Sequence, residues 1–320
     1  MKHPNKNTKE DLKYLQELPL EKKIELSKLR IQEWYEHYDG KVAVSFSGGK
    51  DSTVLLHLVR SVYPDVPAVF CDTGLEYPEI RQFAMAQDNV TVLKPKMDFR
   101  SVIAKYGYPA VSKEVSERVW VLKHYNLSEH VRRKYIDGIM PDGSKTSFRI
   151  PFKWQKLFLQ QTPDFEICSR CCNVMKKQPF KKYIKETKRY CFLGVLAEES
   201  LLRHQAFLKN GCNAYDSKIP TSRPLMFWTE QDVLSYIVKN QLKISSVYGD
   251  VVCENGIYRT TGVQRTGCVF CMFGVHKEKH PNRFERLKQT HPKLYAYCMK
   301  PWKEGGLGLN KVLDYIGVKY

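Results

Sequence analysis

The sequence predicts an α/β protein built on a doubly wound, mostly parallel sheet, and three observations predict it. Short apolar runs rich in β-branched residues, at 42–46, 68–71, 90–93 and 190–195, alternate with stretches of helical periodicity. The first run ends in a Ser-Gly-Gly turn and passes at once into an amphipathic helix, with Val54, Leu55, Leu58 and Val59 on its apolar side. The second ends in Asp72-Thr73-Gly74. Both turns lie at the carboxyl ends of strands, where open sheets of this kind place their ligands.

Taken in order, residues 1–40 are highly charged. From about 20 to 38 the apolar positions Ile24, Leu26, Leu29, Ile31, Trp34 and Tyr35 predict a leading helix that docks one side on a domain. Next comes the turn containing Ser45, Ser47, Gly48, Gly49, Lys50, Asp51 and Ser52. A strand feeding a glycine turn and a helix start gathers backbone N–H groups at the positive end of a helix dipole, which suits an anion. Gly48 and Gly49 let the backbone approach a phosphate, Ser47, Ser52 and Thr53 add hydroxyls, and Lys50 adds charge. The spacing does not fit G-x-x-x-x-G-K-[ST], so this is not a Walker loop. An ordinary glycine turn is the plain alternative.

Residues 119–165 are basic and aromatic, with Asp137-Gly138 and Asp142-Gly143 as turns. They read as an insertion or lid, suited equally to nucleic-acid contact with base stacking and to a solvated hairpin. The strand at 190–195 leads into Leu196-Ala197-Glu198-Glu199-Ser200 and Arg203, with Arg203 a candidate anion clamp. A helix from 229 to about 238 has Thr229 as its N-cap. The tail after Cys271 is helical and basic, broken by Pro281, Pro292 and Pro301. The expected division is a helical segment at 1–40, a nucleotide domain at 41–240 carrying the insertion, and a cysteine-containing helical region at 241–320.

The 320 residues carry a formal net charge of +18, which favours polyanionic partners. No apolar stretch approaches a membrane span, and the first residues show no secretory signal, so a cytoplasmic protein is expected. In that compartment ten cysteines point to metal binding, catalysis or burial more than to disulfides. Cys71 and Cys191 fall in strand-like runs and read as core. Cys171-Cys172 and Cys268-x-x-Cys271 form two groups able to ligate a metal centre. Neighbouring side chains diverge, so adjacent cysteines suit a [4Fe–4S] cluster better than one zinc ion. Cys168 forms a rival pair with Cys171.

The run Ser47-Gly48-Gly49-Lys50-Asp51-Ser52 resembles the S-G-G-x-D-S signature of the PP-loop ATP pyrophosphatases. Together with Asp72-Thr73-Gly74-Leu75-Glu76-Tyr77-Pro78-Glu79 it resembles the phosphoadenosine-phosphosulfate (PAPS) reductase family. Tyr106-Gly107-Tyr108-Pro109, Ser112-Lys113-Glu114 and the segment from Pro224 to Thr229 are similar to stretches of that family too. The paired cysteines, with Lys176 and Pro179 after them, resemble the cluster-bearing adenylyl-sulfate (APS) reductases. The resemblance covers about residues 41–273. Leu196 departs from it, standing where an arginine is usual.

The resemblance implies an adenine nucleotide α-hydrolase-like (HUP-type) fold that binds ATP with Mg²⁺ or a sulfonucleotide. Lys50, Asp51 and Arg203 become the catalytic candidates. Ser45, Ser47, Gly48, Gly49, Lys50, Asp51, Ser52, Asp72, Thr73, Gly74 and Glu199 become the nucleotide-binding ones. Cys171, Cys172, Cys268 and Cys271, with Cys168 as a further candidate, become the cluster ligands. The reductases attack sulfur with a cysteine in a Glu-Cys-Gly-[Ile/Leu]-His motif. Residues 299–320 contain no cysteine, and the context of Cys298 does not match. The expectation is therefore an adenylating ATP pyrophosphatase in sulfur transfer, acting on tRNA or DNA with a cysteine desulfurase as sulfur donor. The alternatives are a sulfonucleotide reductase releasing sulfite with thioredoxin, and a non-catalytic nucleotide-sensing module that binds nucleic acid.

Overall fold

The computed structural model describes residues 6–159 and 163–320. Residues 1–5, read above for a secretory signal, and residues 160–162 of the basic insertion lie outside the described residues. In chain order the strands are β1 (Val42–Ser45), β2 (Ala68–Cys71), β3 (Val90–Leu93), β4 (Ala110–Val111), β5 (Tyr190–Leu193), β6 (Asn213–Ala214), β7 (Thr221–Ser222), β8 (Val251–Glu254), β9 (Ile257–Thr260) and β10 (Met272–Phe273). The chain divides into two compact units. One comprises residues 1–72, 76–94 and 179–267, the other 73–75, 95–178 and 268–320. Both are discontinuous in sequence and do not follow the linear divisions expected at 40 and 240.

The first unit holds a six-stranded sheet in the order β3-β2-β1-β5-β7-β6. All its pairings are parallel except β6 with β7. The apolar run Val42, Ala43 and Val44 is fully buried, as a strand covered on both faces must be, and it occupies the sheet centre between β2 and β5. β3 forms an edge, and there Val92 is left exposed. The helices Leu20–His37, Lys50–Arg60 and Glu230–Lys239 supply much of the core around Trp34, Phe192 and Trp228.

The leading helix is built into this unit and is not a separate segment. Ser27 donates to the Pro224 carbonyl and accepts from Trp228 Nε1, both at 2.9 Å. Lys23, 2% exposed, donates to the Gln16 carbonyl and to Asp232, both at 2.6 Å. Asp232 in turn closes a capping box with Thr229 at the start of Glu230–Lys239. The hairpin β8–β9 has no counterpart in the sequence expectation. Its Asn255-Gly256 corner, both residues at positive φ, is the kind of turn that joins two such strands.

The second unit pairs β4 with β10 in parallel and carries the helices Phe99–Tyr106, Lys113–His124, Glu129–Ile136, Arg283–Thr290, Pro292–Met299 and Leu309–Ile316. The basic insertion lies here, and its helix Glu129–Ile136 buries no residue. Among the described residues no helix is long and apolar enough to cross a membrane.

Candidate nucleotide site and cysteine cavity

β1 delivers the chain to a loop whose shape depends on Gly48. That residue sits at φ +74°, and a Cβ there would lie 2.9 Å from both the Ile80 side chain and the Ile80 carbonyl oxygen. Gly49 then N-caps the helix Lys50–Arg60. The loop hydroxyls brace it from within. Ser47 Oγ and Ser52 Oγ are 3.0 Å apart, and Gly49 N–H donates to Ser47 Oγ at 3.3 Å. Ser52 and Thr53 donate back to the Gly49 carbonyl at 2.8 and 3.0 Å. In this structure both hydroxyls are buried and bonded within the loop. Ser45 ends β1 in register with Val69 and Leu193. The N–H of Lys50 donates to the hydroxyl of buried Tyr248 at 3.1 Å, and that hydroxyl lies 2.8 Å from Thr266 Oγ1.

Beside the loop, Lys50, Asp51, Leu196, Glu198, Glu199, Glu230 and Arg265 line a cavity of about 290 Å³. The Lys50 ammonium, with its side chain 5% exposed, is 3.5 Å from Asp51 and 3.2 Å from Glu230. Burial alone would lower its pKa, but Asp51, Glu230 and Tyr248 carry it above the ordinary value. Asp51 Oδ1 is shut off from solvent and accepts no hydrogen bond. Glu199 is paired with both Arg203 and Arg265 and accepts the Leu196 N–H at 3.1 Å. Glu198 accepts the Glu230 N–H at 2.7 Å, which fixes the start of the helix that presents Glu230. Burial, then the nearby Arg265, holds the Arg203 pKa below its usual value, opposed by Asp51.

Lys50, Asp51, Glu199 and Arg203 are thus assembled in one place. Asp72 is committed differently: its carboxylate takes three hydrogen bonds from Arg81 at 3.0–3.1 Å. Thr73 and Gly74 belong to the second unit, where Thr73 Oγ1 accepts the Leu75 N–H at 3.2 Å and Gly74 sits at φ +70° with open space beside it. Glu198, Glu230, Tyr248 and Thr266 were not among the candidates. Glu198 adjoins Glu199 and Glu230 follows the Thr229 cap, so both could have been inferred. Tyr248, 198 residues from Lys50, and Thr266, farther still, leave no local signal.

In the second unit Cys171, Cys172, Cys268 and Cys271 line a single cavity with Leu75, Phe99, Pro109, Met175 and Lys176. Cys171 and Cys172 precede one turn of π-helix, Asn173–Lys177, and their sulfurs are 4.0 Å apart. The Cys171 thiol, aided by Lys113 and Lys176, pulls the Cys172 pKa down against the effect of burial. Burial pushes the Cys271 thiol up. Cys168 is outside this cavity, fully buried, and burial raises its pKa to about 11. Cys298 is also fully buried at about 12, beside the Tyr295 carbonyl at 3.2 Å. Cys71 and Cys191 are buried on β2 and β5. Among the described residues no three His, Cys, Asp or Glu side chains converge as a site for one metal ion.

A family model described as the phosphoadenosine phosphosulfate reductase domain matches residues 41–118 and 121–272. An uncharacterized protein of Methanocaldococcus jannaschii is 25% identical over 299 residues, covering 88% of this chain and 53% of that protein. The chain spans about half the length of the curated relatives it matches over most of its length, 53% and 42% for two from that organism. An adenosine 5′-phosphosulfate reductase of Lysinibacillus sphaericus is 22% identical over 240 residues, 71% of this chain and 78% of that enzyme. A solved phosphoadenylyl-sulfate (PAPS) reductase from Candida auris, a phosphate complex, aligns over 76% of this chain and 92% of its own at 15% identity and a TM-score of 0.39.

Proposed function

Because the chain belongs to the phosphoadenosine phosphosulfate reductase domain family, we propose that it is an ATP pyrophosphatase that adenylates an acceptor for sulfur transfer, with a nucleic acid as acceptor. The observation that carries this reading is the acidic wall of the loop cavity. Asp51, Glu198, Glu199 and Glu230 repel a bare anion, and Lys50 and Arg265 only partly offset them. A sulfonucleotide would enter without a compensating cation. A triphosphate enters with Mg²⁺, which binds through one or two carboxylates and phosphate oxygens. Asp51 Oδ1, which accepts no hydrogen bond, is the acceptor best suited to hold that ion.

In this reading the acceptor oxygen attacks the α-phosphorus, the bond to the β-phosphate bridging oxygen breaks, and its electron pair leaves with pyrophosphate. The chain contributes position and charge, as phosphoryl transfer requires. The Gly48-Gly49 loop and the Lys50 N–H cradle a phosphate, whose oxygen takes the place of the Tyr248 hydroxyl. The Lys50 ammonium neutralises the leaving group. Glu199 holds Arg265 at the cavity wall and pairs with Arg203 beside it. The outer sulfur of a persulfide donor, such as a cysteine desulfurase provides, then displaces AMP, leaving the acceptor disulfide-linked to the donor. An external thiol cleaves that S–S bond to release the thiolated acceptor and a mixed disulfide. The net charge of +18 suits tRNA or DNA in that role.

Cys171, Cys172, Cys268 and Cys271 would hold a [4Fe–4S] cluster. Their all-thiol donor set and shared apolar cavity suit such a cluster. When bound, the cluster would supply a redox-active, sulfide-bearing centre.

The second reading is a sulfonucleotide reductase, favoured by the similarity to the Lysinibacillus sphaericus enzyme. It needs a mobile thiolate, and Cys298 is buried with a pKa of about 12. Thermal shift on anaerobically purified protein separates the two. A ligand at about 100 times its dissociation constant adds roughly 2.7 kcal/mol. Protection by ATP–Mg²⁺ alone is expected, and protection by APS or PAPS alone would favour the reductase.

A further inference from the structure

The second unit carries, besides the cavity of the four cysteines, one of about 350 Å³ walled in part by the rings of Tyr106, Trp120, His124 and Trp302. Trp120 and His124 are stacked with centroids 3.6 Å apart and planes 17° apart, and Tyr106 meets Trp120 edge-on at 6.5 Å. Neither tryptophan is buried. Large ring surfaces left wet in a concave site gain when a flat apolar partner covers them.

Two further features narrow the partner. Cations stand at the cavity wall: Lys105 Nζ is 5.4 Å from the Tyr106 ring, and Lys311 Nζ is 5.9 and 5.6 Å from the rings of Tyr108 and Phe165. Lys311 Nζ is also 3.5 Å from the exposed carboxylate of Asp164, which a phosphate would have to displace. Glu166, which also lines the cavity, accepts from Lys123 at 2.6 Å through Oε1, while Oε2 accepts no hydrogen bond. That oxygen is shut off from solvent in this structure, and the carboxylate has to turn toward the cavity to accept a ligand N–H. The neighbouring stretch 118–156 carries nine Lys and Arg against three Asp and Glu, so its field draws in a polyanion.

Stacking rings, wall cations and one unused carboxylate oxygen match the face, the flanking phosphates and the amino edge of an unpaired base. We propose that this cavity receives an unpaired, amino-bearing nucleobase of the nucleic-acid acceptor, stacked on Trp120 and held by Glu166, with Lys105 and Lys311 on the adjoining phosphates. The proposal rests on the reading that the acceptor is a nucleic acid, and it adds where and by which edge that acceptor is read.

The test is fluorescence anisotropy with labelled short single strands of oligo(C) and oligo(U), and their DNA counterparts oligo(dC) and oligo(dT), at one fixed salt concentration. The full chain should bind the cytosine strands several-fold tighter than the uracil or thymine ones. Trp120→Ala should weaken binding of all four by roughly tenfold to a hundredfold, the effect of losing one stacked base. Glu166→Gln should abolish the cytosine preference while most of the affinity survives. Should Trp120→Ala misfold by circular dichroism, Glu166→Gln and quenching of tryptophan fluorescence by oligo(C) carry the test. Unchanged affinity in a folded Trp120→Ala, no cytosine preference, or no binding by the wild type overturns the proposal. Pyrophosphate release from ATP, followed on the same samples, separates the two ideas. If release is absent while Trp120-dependent binding persists, adenylation fails and the base site stands.

Discussion

Replacing Gly48 by alanine probes the loop at its tightest point. The residue is at φ +74°, where an L side chain costs roughly 1–2 kcal/mol. The added Cβ would also lie 2.9 Å from the Ile80 carbonyl oxygen, a backbone atom that cannot swing aside. Relieving such overpacking costs about 1–3 kcal/mol more. Gly48→Ala should therefore lose about 2–5 kcal/mol, read as a melting temperature lower by roughly 4–20 °C. It should also weaken ATP–Mg²⁺ binding at least about tenfold, because the loop must shift to clear Ile80. Gly74→Ala is the internal comparison. Its φ is +70° but nothing lies within 4 Å of the added Cβ, so only the backbone cost applies. Differential scanning fluorimetry and calorimetric ATP titration of both variants decide the matter. Equal melting temperatures for the two, or unchanged ATP affinity in Gly48→Ala, would refute the reasoning.

Removing Lys23 leaves Asp232 without its cation beneath the leading helix, so Lys23→Ala should cost about 3–5 kcal/mol by urea denaturation. Anaerobically purified wild type should contain iron and acid-labile sulfide. Cys171→Ser and Cys271→Ser should lose both, whereas Cys168→Ser, outside the cavity, should keep them by elemental analysis. Burial, with help from Lys153 and Lys277, holds the His276 pKa below 6.5. A depressed folded-state pKa gives stability that is present above pH 6.5 and is lost as pH falls through the folded value. His276→Gln should accordingly flatten the acid side of a stability profile measured by chemical denaturation.

The central strands were legible because buried parallel strands are continuous apolar runs. Residues 42–46 contain β1 and residues 68–71 coincide with β2, 90–93 coincide with the edge strand β3, and the Thr229 cap lies where its side chain suggested. The loop was legible because Gly48 and the helix start are neighbours in sequence. The acidic wall was only partly so: Glu198 and Glu230 adjoin a candidate and a helix cap, but they meet Lys50 only after β5 and the helix Glu230–Lys239 have packed. The commitment of Asp72 to Arg81, nine residues on, across the start of a helix, was not. The four cysteines that the spacing set in two groups line one cavity, and only folding places Cys168 outside it. The β8–β9 hairpin was overlooked although Asn255-Gly256 announces a turn, because its flanking residues alternate weakly and are largely exposed.

The most direct test is the fate of ATP on the anaerobically purified chain with Mg²⁺ and tRNA or DNA, resolved by chromatography of the nucleotide products. Adenylation predicts pyrophosphate and an equal amount of acceptor-bound AMP, set free as AMP once a persulfide donor is added, dependent on Lys50 and Asp51. Release of ADP and phosphate, or inert ATP alongside sulfite released from APS or PAPS, would contradict it.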